Sequence, residues 1–112
     1  MAILQTSNTI AAIATPPGTG GIGIIRISGP EALSILKQLF KPYKSHSSFT
    51  SHTLYYGVVN NSEGKMLDEV LAVYMRAPNT YTREDVVELQ SHGSYLVLNS
   101  IPCSVMQPIL IS

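Results

Sequence analysis

The 112-residue chain is a series of short apolar runs separated by glycine-, proline- and serine-rich breaks, and most of the runs are too short for helices. Thr9-Ile-Ala-Ala-Ile-Ala-Thr15 is apolar and ended by Pro16-Pro17, which predicts a buried strand. Ile22-Gly-Ile-Ile-Arg-Ile-Ser28 has isoleucine at four of its seven positions and predicts a second. Period two puts Ile22, Ile24, Arg26 and Ser28 on one face of it, and Gly23, Ile25 and Ile27 on the other.

The period then lengthens. Ala32, Leu33, Ile35, Leu36, Leu39 and Phe40 form an apolar stripe at helical spacing, with Lys37 and Lys41 near the end where cations suit the helix dipole. Ser28 with Glu31 three residues on predicts a capping box, Pro30 suits the first turn, and Pro42 ends the helix. Tyr43 to Ser51 reads as a serine-rich loop carrying His46. Thr53 to Asn60, the turn Asn61-Ser-Glu-Gly64 and Lys65 to Arg76 predict a β-hairpin, and the unbroken run Val70 to Met75 predicts burial on both faces. After an irregular Ala77–Thr82 loop, Thr82 to Asp85 is expected to form one helical turn. Asp85 to Ser91 is the last strand, with Val87 and Leu89 inward and Val86, Glu88, Gln90 and His92 on the opposite face. Tyr95 to Ile101 predicts a short helix ended by Pro102, and the segment to Ser112 has no clear period.

Length and composition narrow the function classes. One domain is expected, without internal repeats or a dividing linker. Charged residues make up 12 % of the chain, about half the usual share of about 25 %, which suggests surface covered by another chain. Seven basic residues balance seven acidic ones, so no electrostatic footprint for nucleic acid is visible. A single cysteine, Cys103, rules out an internal disulfide framework and fits a reducing cytoplasm. No signal peptide is read at the start. The uncharged stretch 91–112 is broken by Pro102, Pro108 and serines, so no membrane span is expected.

Candidate chemistry concentrates between Thr15 and Gly29. Gly18-x-Gly20-x-x-Gly23 spells the dinucleotide fingerprint, but that motif must open a helix whose N-terminus holds the pyrophosphate. Here the glycines lead into a predicted strand. No Gly-x-x-x-x-Gly-Lys-Ser/Thr follows, so the chain carries no P-loop of its own. Arg26, set among isoleucines on a half-buried strand, calls for an acceptor, and Glu88 is the evident partner. Two readings share that geometry. One is a plain salt bridge. In the other, the carboxylate takes two parallel hydrogen bonds from an amino-pyrimidinone edge while the arginine fork meets a carbonyl or carboxylate. His92 has no nucleophile assignable to it, so no catalytic residue is named; His46 and His52 read as solvated loop histidines, and no metal site is seen.

Asn8 to Gly29, Met66-Leu-Asp-Glu-Val-Leu71 and Ala77 to Gly93 together, in order and at matching spacing, closely resemble the N-terminal domain of the MnmE (TrmE) family of tRNA modification GTPases. The resemblance covers about residues 8–93 of a single domain, 1–112, and leaves 94–112 as a divergent tail. It implies an α+β fold, a small mixed β-sheet with helices packed on one face, similar to the folate-binding part of aminomethyltransferase. It implies a homodimer that binds 5-formyltetrahydrofolate or another tetrahydrofolate derivative, with Arg26 and Glu88 as cofactor-binding residues. Gly20, Gly21 and the Asn79–Tyr81 loop, Tyr81 included, are candidates for the pocket wall. A lysine that the family adds has no counterpart here; Thr19 stands where the family usually has arginine, and Ser94 where it has glycine. GTP and potassium would belong to a GTPase domain not contained in these residues, so no complete active site is expected. The whole protein would modify the wobble uridine of tRNA in the cytoplasm with a flavin- and NADH-using partner, MnmG (GidA), tRNA being an indirect substrate. The alternative is a purely structural dimerisation domain.

Overall fold

The computed structural model describes residues 9–17, 20–44, 48–78 and 84–101. Six strands and two helices follow in the order β1 (Ile10–Thr15), β2 (Gly23–Ser28), α1 (Ala32–Leu39), β3 (Phe40–Pro42), β4 (Thr53–Asn60), β5 (Met66–Met75), β6 (Val86–Ser91) and α2 (Ser94–Asn99). The strands make one sheet in the order β1-β2-β6-β5-β4-β3. All five pairings are antiparallel, which narrows the mixed sheet expected from the sequence. The α+β class and the single-sided placement of the helices are as expected.

Strand alternation explains the core. Ala11, Ile13, Ile25, Ile27, Val87, Leu89, Val70, Ala72, Tyr74, Tyr55 and Val59 project from one face and meet Ala32, Ile35, Leu36 and Leu39 of α1 and Val97 of α2 in a single cluster. With both helices on that face, the other stays uncovered. Val70 to Met75 is therefore not buried on both faces: Val70, Ala72 and Tyr74 are buried, whereas Leu71 is 37 % exposed and Val73 and Met75 are half-buried. The unbroken apolar run reflects a sheet face left open, where the reading of the sequence had assumed a second cover.

Two local expectations change for tertiary reasons. The capping box does not form. Ser28 Oγ donates to Glu84 Oε1 at 3.0 Å, Glu31 takes the N-cap position without a side-chain cap bond, and its N–H donates to Thr9 Oγ1 at 2.9 Å. A residue ahead of β1 thus secures the helix start. At the other end, Phe40 is extended and pairs with Val59, so Phe40 to Pro42 form an edge strand where helix was expected. Ladder bonds to β4 there replace a last helical turn that Pro42 could not have continued.

The β4–β5 hairpin is close to expectation. Asn61 Oδ1 accepts from the Glu63 and Lys65 N–H groups at 2.9 Å each, and Gly64 takes φ 85°. The one-turn helix expected at Thr82–Asp85 and the loop histidine His46 fall outside or partly outside the described residues.

Candidate functional site

Arg26 and Glu88 face each other directly. β6 inserts between β2 and β5, and its register sets Glu88 opposite Arg26 on the open face of the sheet. The guanidinium donates from Nε at 2.9 Å and from Nη2 at 2.6 Å, both to Glu88 Oε2. The Arg26 side chain is 50 % exposed and that of Glu88 24 %. The desolvation that the sequence seemed to impose on Arg26 is therefore modest, and an exposed pair of this kind contributes about 0–1 kcal/mol. Among the described residues, Oε1 and the other guanidinium N–H groups keep their capacity for a further partner, so the pair presents acceptor and donor side by side toward solvent.

Around the pair, cross-strand rows define the surroundings. Ala12, Arg26, Glu88, Val73 and Leu54 lie in one row, and Ile24, Gln90, Leu71 and Tyr56 in the next. Beyond them a groove of about 370 Å³ is lined by Ile22, Tyr56, Met66, Leu71, Gln90 and His92, with Asp68 and Glu69 in its wall.

The glycine loop lies at the other end of β2. Gly21 (φ 80°) sits beside His92, whose Cδ2 would be 3.6 Å from an added Cβ, and Gly20 has open space around it. Both precede β2, whose first residue, Gly23, lies about 10 Å along the strand from Arg26. The structure thus brings Arg26 and Glu88 together and sets Gly21 beside His92, a residue of the groove wall, while Gly20 is not among the groove-lining residues. Tyr81, with Asn79 and Thr19, lies outside the described residues. A Cβ on Gly23 would fall 2.8 Å from Ser94 Oγ and 2.9 Å from the Thr15 carbonyl, so the strand can cross beneath α2 only as glycine. Because a strand starts at Gly23, the loop presents no helix N-terminus for a phosphate.

Two polar clusters were not seen in the sequence. Glu69 accepts hydrogen bonds from Tyr43 and Tyr56, the latter at 3.0 Å, and the two rings stand 5.0 Å apart. The bonds to Glu69 push the Tyr43 phenol up to about 12 and also raise Tyr56, while holding the Glu69 carboxyl below its ordinary value. Asp68 accepts from Ser91 Oγ and, at 2.9 Å, from the Gly93 N–H. Burial raises the Asp68 pKa, but the hydrogen bonds from Ser91 and from the backbone at Gly93, Glu69 and His92 outweigh it and leave the carboxyl lowered. Asp68 on β5 thereby holds the turn into α2. The signal for the first cluster lay in the hairpin: its four-residue turn sets Tyr56 opposite Leu71 and Val58 opposite Glu69, on one face. Among the described residues no group of three or more His, Cys, Asp or Glu side chains is placed to hold a metal ion, and no helix is long and apolar enough to cross a membrane.

Fold and site together define an α+β domain with one helix-covered sheet face and one open face bearing a cross-strand arginine–glutamate pair, without a dinucleotide turn. The chain belongs to the family described as GTP-binding protein TrmE N-terminus, whose model matches residues 9–109 and so continues through α2. It is similar to the tRNA modification GTPase MnmE of Desulfotalea psychrophila, at 57 % identity over 102 residues, covering 90 % of this chain and 22 % of the relative. The tRNA modification GTPase MnmE of Geobacter metallireducens is 50 % identical over 105 residues, 93 % of this chain and 23 % of the relative. That of Listeria welshimeri is 49 % identical over 94 residues, 84 % of this chain and 20 % of the relative. The chain spans about a fifth of the length of these curated relatives.

Proposed function

We propose that this domain is the tetrahydrofolate-binding, homodimerising module of a tRNA modification GTPase, acting in the cytoplasm. The observation that carries the reading is the Arg26–Glu88 pair on the open face, donors and acceptor side by side. Both bonds converge on one carboxylate oxygen, so Oε1 of Glu88 is available to the amino and ring N–H groups of a reduced pterin. The remaining N–H groups of Arg26 suit its carbonyl or an attached carboxylate. Ala12, Val73 and Leu54 in the same row offer apolar contact beside the ring. In the whole protein the folate would serve as one-carbon donor for the wobble uridine of tRNA, with MnmG (GidA) as partner and GTP hydrolysis in a separate domain.

A second reading has one observation in its favour: the pair is already closed at 2.6 Å across adjacent strands. In it, Arg26–Glu88 is a structural salt bridge and the domain only dimerises. Titration calorimetry with 5-formyltetrahydrofolate separates the two. Arg26→Ala and Glu88→Ala are each expected to weaken binding at least tenfold, about 1.4 kcal/mol or more, while shifting stability by no more than about 1 kcal/mol. Absence of binding by the folded wild-type chain would overturn the folate reading and leave the structural one.

A further inference from the structure

The two carboxylates of the Met66–Leu71 block have no part in the folate reading. Asp68 is committed within the fold, since its Oδ2 holds Ser91 and the Gly93 N–H. Glu69 is differently placed, exposed on the open face and two rows from the Arg26–Glu88 pair. Its Oε2 accepts from the Tyr43 phenol and its Oε1 from that of Tyr56 at 3.0 Å. The Tyr43 N–H donates to the Tyr56 carbonyl at 2.9 Å, which fixes the two rings side by side, 5.0 Å apart and each about half exposed. A carboxylate has about four lone-pair sites, so each oxygen keeps one for a further donor. The phenols, having given their protons to Glu69, turn only acceptor and ring π-density outward. Among the described residues no cation pairs with Glu69.

This cluster closes one end of the groove of about 370 Å³, whose lining includes Met66, Leu71 and Ile22 but no lysine or arginine. Lys44 lines a second hollow, with Tyr43, Thr53 and Leu54. From the charge and shape of the groove we propose that it receives an arginine-bearing segment of a different protein. The guanidinium fork takes the free lone pairs of Glu69, and its plane lies against the Tyr56 ring, where the π-face attracts a cation. The methylene stem and an apolar neighbour in the segment cover Met66 and Leu71, a floor that a bare hydrated cation would leave unused. The two phenols hold the carboxylate in position beforehand, so little side-chain order is lost on docking. Asp68 adds negative charge to the same wall without giving up its bonds. The proposal stands apart from the folate reading, whose pair lies in another row of the sheet.

Titration of the 112-residue chain with the peptide acetyl-Gly-Leu-Arg-Leu-Gly-amide, followed by NMR at Tyr56, Leu71 and His92, tests this. The same peptide with citrulline keeps the shape and removes the charge, and is expected to bind about tenfold more weakly. Glu69→Gln should weaken the arginine peptide by about threefold or more, while Glu63→Gln in the hairpin turn should leave it unchanged. Equal binding of the two peptides, a Glu69→Gln variant that binds as the wild type does, or no shift at millimolar arginine peptide overturns the proposal. Groove shifts that grow with the chain's own concentration, without peptide, would give the groove to a second copy and also overturn it. Should circular dichroism show Glu69→Gln unfolded, the two peptides on the wild type decide. None of these results bears on the folate reading, which is tested at Arg26 and Glu88.

Discussion

On the covered face of the sheet, the row Ile13, Ile25, Leu89, Ala72 and Tyr55 is buried from end to end; one row away on the open face, Ala12, Arg26, Glu88, Val73 and Leu54 run from half-buried to exposed. The same strands carry both rows, so the contrast comes from what lies above them. The covered row, apart from the Tyr55 hydroxyl that accepts from the Thr50 N–H at 2.6 Å, makes dispersion contacts and loses water, which stabilises the fold. The open row retains solvent and can hold a charge pair cheaply, which leaves it able to meet a ligand. Stability and binding chemistry are thus divided between two faces of one sheet.

Mutating the two faces in parallel gives the sharpest test of that division. Leu89→Ala should cost about 2–5 kcal/mol in urea denaturation, because a fully buried side chain leaves a cavity under α1. Leu71→Ala, on the open face, should cost under about 1 kcal/mol. Equal losses would mean that the open face is covered in solution. Asp68 is the next most costly position, since it ties β5 to Ser91 and to the turn that starts α2. Asp68→Ala should lose about 1–3 kcal/mol at neutral pH by orphaning the Ser91 hydroxyl and the Gly93 N–H. Its folded pKa is lowered, so the Asp68 contribution is present above the ordinary aspartate range and disappears as pH falls through the lowered value. The gap between wild type and variant in thermal melts should close toward acid pH.

Ser94→Ala works in the opposite direction. Among the described residues Ser94 Oγ, buried beside Gly23, has no hydrogen-bond partner, so removing the hydroxyl should raise stability by up to about 1 kcal/mol in thermal unfolding. A loss instead would show that the hydroxyl has a partner in solution. The smallest effect belongs to the exposed tyrosine cluster and is spectroscopic. Ultraviolet titration should find the Tyr43 phenolate forming at about 12 and, in Glu69→Gln, nearer the ordinary value of 10.0. The Tyr43–Glu69 contribution is present below that ordinary value and is lost as pH rises through the folded one. A wild-type titration with every phenol near 10.0 would remove the cluster from the description of the open face.

Much of this division was legible in the chain. Period two separated Ile25 and Ile27 from Arg26, and Val87 and Leu89 from Glu88, before any pairing was known. The strand that follows the glycine loop excluded a phosphate turn, and Asn61-Ser-Glu-Gly64 announced its hairpin. The misses share one origin. The Val70–Met75 run cannot say which of its faces a helix covers. Ser28 had two partners within reach of its hydroxyl, the helix N-terminus beside it in sequence and Glu84 56 residues away, and only the fold could choose the distant one.

Local spacing, turn chemistry and the alternation of side chains are properties of a few consecutive residues, so the sequence alone determined five of the six strands, the first helix up to Leu39 and which residues share a face. The insertion of β6 between β2 and β5 joins groups 62 residues apart into the Arg26–Glu88 pair. It also leaves β1 on an edge and both helices on one side. Those features depend on strand order and register, which form through long-range packing free energy and have no local signature. The residues of the candidate site were thus readable one by one, and their convergence on an open sheet face was decided by the tertiary structure.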